Sequence, residues 1–150
     1  MRPVCIPPPR RAWTVGAYGS GMSALDTVRS FIAAIEARDL DAAAALLAED
    51  VVYHNVPIDP IHGRDATISM LGMFSAPCTA IEWVIVREME QGNVVVNERV
   101  DRFGYPNGWL DLPVMGVWEV GDDGLITLWR DYFDMGTYMN RLAELTAEGA

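Results

Sequence analysis

The most chemically pointed residue in this sequence is a carboxylate set among large aromatic side chains: Asp131, in the run LITLWRDYFDM from Leu125 to Met135. Read as a strand, the run places Trp129, Asp131 and Phe133 on one face and Ile126, Leu128, Arg130 and Tyr132 on the other. Both faces carry large side chains, which predicts an interior strand covered on both sides. A lone carboxylate aimed into apolar surroundings costs on the order of several kcal/mol unless hydrogen bonds or a cation compensate it. Such a residue serves either chemistry or structure, the latter as a turn cap or as the partner of a nearby Arg. Two further pairs join it. In VVYHNV, Tyr53 and Asn55 point the same way, and in VVVNERVDRF alternation puts Val95, Asn97, Arg99, Asp101 and Phe103 on one face, with Glu98 and Arg102 on the wetter one. Two carboxylates, one guanidinium and one shared proton sum to zero charge, which a dry cavity holds more readily than two bare carboxylates. An acid and a base together are the equipment for adding water across a strained or polarised bond. Tyr53 and Asn55 can hydrogen-bond that water and leave its remaining proton for the base.

The elements that must position these side chains follow from patterning. Residues 1–21, with Pro7-Pro8-Pro9, Gly16, Gly19 and Gly21, suit an extended arm, which Trp13 and Tyr18 could pin to a domain spanning 22–150. Ser23 precedes Leu25, Val28, Phe31, Ile32 and Ile35 at helical spacing, with Asp26 in the first turn, so a helix runs to about Arg38. Asp41 caps a second, alanine-rich helix that stops before Val51. A strand over Val51–Val56 is broken by Pro57, Pro60 and Gly63, and Arg64-Asp65 opens a third helix whose Met70 and Met73 read as core filler or as flexible cavity wall. Strands over Ile81–Met89 and Val94–Phe103 flank the turn Gln91-Gly92-Asn93. A long strand from Trp109 to Val120 carries Pro113, which implies an edge or bulge. Gly121-Asp122-Asp123-Gly124 returns the chain into the Asp131 strand, and Asp134 or Thr137 starts a closing helix. Helices first and a four-strand meander later mean α+β: helices packed on the concave side of a strongly curved, mostly antiparallel sheet, a cone with a deep pocket.

Composition narrows the partners. A chain of 150 residues that is 51% hydrophobic fits one domain, and its net charge of -10 argues against nucleic acid or an anionic membrane. A neutral or apolar small molecule fits better. Cys5 and Cys78 have no CxxC partner spacing, which predicts reduced thiols and a cytoplasmic protein, and no apolar run approaches a membrane span. His54 faces away from Tyr53 and Asn55, and His62 falls in a loop. Neither pairs with carboxylates at metal-ligand spacing, so no metal is assigned. The G-x-S-x-G elbow of hydrolases that work through a covalent ester does not occur.

GVWEVGDDGLITLWRDYFDM at 116–135, VVYHNVP at 51–57 and NERVD at 97–101 together resemble the limonene-1,2-epoxide hydrolases, members of the nuclear transport factor 2-like superfold. The resemblance runs from about Ser23 to the C-terminus. It implies one-step addition of water to a small apolar epoxide, giving a vicinal diol with no metal, no cofactor and no covalent intermediate. It further implies Asp131 as general base on a water that Tyr53 and Asn55 hold, Asp101 as general acid on the epoxide oxygen, and Arg99 between the two carboxylates. Phe103, Leu112, Val114 and Phe133 fall at apolar lining positions of the family, though each equally suits plain core. Two other readings fit the same architecture: a ketosteroid-isomerase-like or polyketide-cyclase-like proton shuttle, and a noncatalytic binding module in which the polar residues form a structural network. The first needs one base and an oxyanion donor, whereas an Arg beside a second acid suits water addition better. A homodimer is expected, because such cones expose one sheet face and the Trp118 and Val120 side of the long strand looks too apolar for solvent.

Overall fold

The computed structural model describes residues 21–147, so the expected N-terminal arm lies, Gly21 apart, outside the described residues. The elements run α1 (Ala24–Glu36), α2 (Leu40–Ala45), β1 (Leu47–Asn55), β2 (Ile61–His62), α3 (Arg64–Ser75), β3 (Ala80–Gln91), β4 (Val94–Tyr105), β5 (Gly108–Val120), β6 (Ile126–Tyr132) and α4 (Met135–Thr146). All six strands form one sheet in the order β2-β1-β6-β5-β4-β3. Every neighbouring pair is antiparallel except β1 and β6, which run parallel. Helix α1 packs against β3, β4 and β5, α3 against β1 and β2, and α4 against β5. This is the expected α+β arrangement of helices over one face of a mostly antiparallel sheet.

Local chemistry sets the helix ends. Ser23 caps α1 in a capping box: its hydroxyl accepts from the Asp26 N–H at 3.1 Å, and the Asp26 carboxylate accepts from the Ser23 N–H at 3.2 Å. The helix closes in a Schellman turn, with Arg38 left-handed at φ 59 and the Asp39 N–H donating to Ala34 O at 2.9 Å. That turn delivers Asp39, not the expected Asp41, as the cap of α2, where its carboxylate accepts from the Ala42 N–H at 2.9 Å. The second helix is also shorter than alanine propensity suggested. Leu46 O accepts from the Ile126 N–H and Leu47 pairs with Ile126, so sheet pairing overrides helix preference from Leu47 onward.

The sheet corrects four further expectations. Ile126 is fully buried on the side of Trp129 rather than with Leu128, because the β5–β6 register shifts between Glu119 and Val120 and leaves Thr127 as an extra residue. The outer face of β6 is not covered in the single chain: Leu128 and Arg130 are half-buried and Tyr132 is 44% exposed. Trp118 and Val120 face the interior, where Trp118 stacks on Trp129 at 4.8 Å and Phe31 of α1 meets both rings edge-on. Pro113 does sit where β5 is locally an edge. It lies opposite Val100 of β4, while pairing with β6 begins only at Met115. His62 lies in β2, not in a loop. Asp134 caps α4 by accepting from the Thr137 N–H.

Candidate active site

Ladder register brings the five polar side chains to one place. Asn55 of β1 lies beside Asp131 of β6, Tyr53 beside Trp129, and Gly116 of β5 lies opposite both Asn97 of β4 and Asp131. Because Gly116 has no side chain, Arg99 can reach from β4 across β5 to β6. An added Cβ at Gly116 would overlap Arg99 Nη1 and Asn97 Oδ1. Arg99 donates through Nε to Asp101 Oδ1 at 2.7 Å and through Nη2 to Asp101 Oδ2 at 3.1 Å and Asp131 Oδ2 at 2.6 Å. Its third arm, Nη1, donates to Asn97 Oδ1 at 2.9 Å. The indoles of Trp83 and Trp118 lie 4.9 and 5.6 Å from the guanidinium carbon. Asn97, Arg99, Asp101 and Asp131 are all at most 4% exposed.

These side chains form the polar end of a cavity of about 170 Å³ between the sheet and helices α3 and α4. Tyr53, Asn55, Asp101 and Asp131 line it, and the rest of its wall is apolar: Ile58, Met70, Leu71, Phe74, Trp83, Phe103, Leu112, Phe133, Met135 and Tyr138. Phe103, Leu112 and Phe133 are thus part of the cavity wall. Val114 does not line the cavity. It is buried opposite Arg99 in the β4–β5 ladder, and neither residue is part of the cavity wall. Met70 belongs to the wall and not to core filler, while Met73 is 65% exposed. Met70, Leu71 and Phe74 share one face of α3, an i, i+1, i+4 signal legible in the sequence but not distinguishable there from core. Asn97 and Gly116 carried no such signal, since each is defined by what Arg99 does across strands.

The electrostatics favour one shared proton. Burial raises the Asp101 carboxyl to about 7, against the lowering influence of Arg99 and with further raising by Asp131 and Glu36. Burial likewise raises Asp131. Arg99 opposes that shift, as does, more weakly, the neighbouring Trp129 indole N–H, which stands outside hydrogen-bond geometry. Burial alone would lower Arg99, but its two carboxylates outweigh this and keep it cationic. Burial and the Asp131 charge hold Tyr53 well above the usual phenol range, so it stays a neutral hydroxyl. Asn55 Nδ2 donates to the Tyr53 hydroxyl oxygen at 2.7 Å, which leaves that hydroxyl's own proton and the Asn55 carbonyl oxygen without a side-chain partner among the described residues, on two side chains that line the cavity. Asp131 Oδ2 is held by Arg99, and Oδ1 has no protein partner among the described residues. Among those residues no group of three or more His, Cys, Asp or Glu is placed to hold a metal ion.

A mixed sheet with helices over one face and a polar cluster at the end of an apolar cavity defines a nuclear transport factor 2-like, or SnoaL-like, protein. Solved structures share that fold, among them a SnoaL-like protein from Shewanella denitrificans, 16% identical, with a TM-score of 0.71 over 81% of this chain and 97% of that one. At that identity only the fold is shared. The family described as the limonene-1,2-epoxide hydrolase catalytic domain matches residues 22–144. Epoxide hydrolase EphG of Mycobacterium tuberculosis is 38% identical over 108 residues, 72% of this chain and 71% of that protein. A solved M. tuberculosis structure, a limonene-epoxide-hydrolase-like epoxide hydrolase, is 34% identical with a TM-score of 0.71, covering 81% of this chain and 90% of that one. The chain belongs to the limonene-1,2-epoxide hydrolase family and is an epoxide hydrolase of that type.

Proposed function

We propose that this enzyme adds water to a small, apolar, cyclic epoxide in one step, giving a vicinal diol. One observation carries the reading: a single buried guanidinium joins two carboxyl groups that both line a mostly apolar cavity. A water donating to Asn55 Oδ1 and Asp131 Oδ1, and accepting from the Tyr53 hydroxyl, keeps one lone pair for attack on a ring carbon. As the new carbon–oxygen bond forms, Asp131 takes the water proton. The ring carbon–oxygen bond breaks as Asp101 delivers its proton to the departing oxygen. Ring strain drives the opening and the delivered proton removes the cost of a free alkoxide, so acid and base each contribute on the order of 10² to 10⁴ in rate. Arg99 stays cationic throughout and keeps the two carboxyls aligned as the proton balance between them reverses. The scheme calls for no metal and no cofactor.

Limonene 1,2-epoxide in ¹⁸O-labelled water tests the route. The diol is expected to carry label in a single turnover while the enzyme carboxyls do not; label in the enzyme would mean a covalent ester route and overturn the reading. Asp131→Asn and Asp101→Asn are each expected to lower kcat by about 10² to 10⁴ with the circular dichroism spectrum retained.

The assembly is proposed to be a homodimer formed by the outer face of the sheet. Val84, Met89 and Met115 are 47, 64 and 43% exposed there, alongside Tyr132, more apolar surface than a solvated sheet face needs. No helix among the described residues is long and apolar enough to cross a membrane, and a cytoplasmic setting fits the free, buried Cys78.

A further inference from the structure

Arg99 has three arms, and the acid and base account for only two of them. The third, Nη1, donates to Asn97 Oδ1 at 2.9 Å, and that same oxygen accepts from Trp118 Nε1 at 3.2 Å. Two N–H donors converge on one atom, so that atom is the amide oxygen, and the orientation of the side chain follows from its neighbours. Asn97 is fully buried, and its amide nitrogen has no protein partner among the described residues. A residue present only for packing would be apolar here, since an unsatisfied buried amide donor is itself unfavourable. Its retained feature is the acceptor. Across the ladder, the space that the guanidinium occupies exists because residue 116 is glycine.

We propose that Asn97 is a positioning residue: with the room left by Gly116, its uncharged carbonyl oxygen seats Arg99 so that one guanidinium serves Asp101 and Asp131 at once. This rests on the acid–base reading above. The neutrality of the acceptor matters as much as its place. An aspartate at 97 would make the same hydrogen bonds but add a third negative group to a dry cluster that balances one cation against two carboxyls and a proton. The other groups facing the cluster are Tyr53 of β1, which stays neutral, and Glu36 of α1, which acts on Asp101 from a distance. Neither could offset the added charge.

Kinetics with limonene 1,2-epoxide across pH test this on folded, purified enzyme. Asn97→Leu keeps the branched shape and the number of heavy atoms without the acceptor, at the cost of bulkier methyl groups; it is expected to lower kcat at least tenfold while KM stays within about threefold, because no substrate-facing atom changes. Asn97→Asp is expected to move both limbs of the kcat–pH profile upward by about one unit. Wild-type kcat and wild-type limbs in Asn97→Leu, with only a lower melting temperature, would reduce Asn97 to a structural residue and overturn the proposal. If Asn97→Leu does not fold, Asn97→Asp decides: shifted limbs support the proposal and unshifted limbs overturn it. Asp131→Asn run alongside separates the two levels. If that variant keeps its activity, the acid–base reading has failed; if it loses activity while Asn97→Leu keeps it, only the role of Asn97 has failed.

Discussion

Arg99 is the residue on which charge, packing and chemistry meet. It is buried with two carboxylates, so removing it leaves those carboxyls without a cation in a dry site. Arg99→Met is therefore expected to destabilise the protein by about 3–5 kcal/mol, the range for breaking a buried ion pair from one side, measurable by urea denaturation. Asp101 carries the pH dependence. Its carboxyl, raised to about 7 by burial, is protonated in the folded protein over a range where the unfolded chain, near 3.8, has released its proton. The folded state binds more protons in that window, so this group's contribution to stability falls as pH rises from about 4 to 7 and is constant above it. The stability difference between the wild type and Asp101→Asn should shrink or reverse across that window, and calorimetry at pH 4.5 and 8 would detect it. Activity moves in the same direction: kcat is expected to decline above about pH 7 as the acid ionises, with Asp101→Asn lacking that limb.

Among the elements, the sheet does the placing and the helices do the enclosing. Gly116 opens a path from β4 to β6 that no other residue type would leave, and the parallel pairing of β1 with β6 sets Asn55 beside Asp131. Helices α3 and α4 then wall the cavity with Met70, Phe74 and Tyr138. The start of α1 is a separate matter, because its capping box is exposed and far in the chain from Arg99 and its two carboxylates. Ser23→Ala is expected to cost about 1 kcal/mol, seen as a melting temperature lower by a few degrees with kcat unchanged. Loss of activity in folded Ser23→Ala would show that α1 acts on the site beyond holding the core.

In the whole molecule, the two faces of the sheet have different fates. The inner face is sealed by helices and by the stacked Trp118 and Trp129, while the outer face leaves Val84, Met89, Met115 and Tyr132 open with the Arg87–Glu98 ion pair among them. Sedimentation at micromolar concentration is expected to give a dimer, and Met115→Asp to give a monomer with its fold intact, since a buried unpaired carboxylate is unfavourable at an interface. A wild-type monomer at that concentration would rule out the dimer.

Much of this protein is written in local pattern. Period-2 alternation in LITLWRDYFDM and VVVNERVDRF set Asp131, Arg99 and Asp101 on inward faces, the Ser23 cap and the turn at Gly92 marked element ends, and three motifs together pointed to the family. All of these depend on neighbours a few residues away. The remainder depends on contacts between distant segments. Propensity over AAAALLAED could not anticipate that Leu47 would pair with Ile126. Alternation could not see the extra residue at Thr127 that turns Ile126 inward, nor which side of β5 the helices would cover. Asn97 and Gly116 acquire meaning only when β4, β5 and β6 lie side by side, because one guanidinium then spans all three strands. Periodicity reports which way a side chain points; only the assembled sheet decides what it meets there.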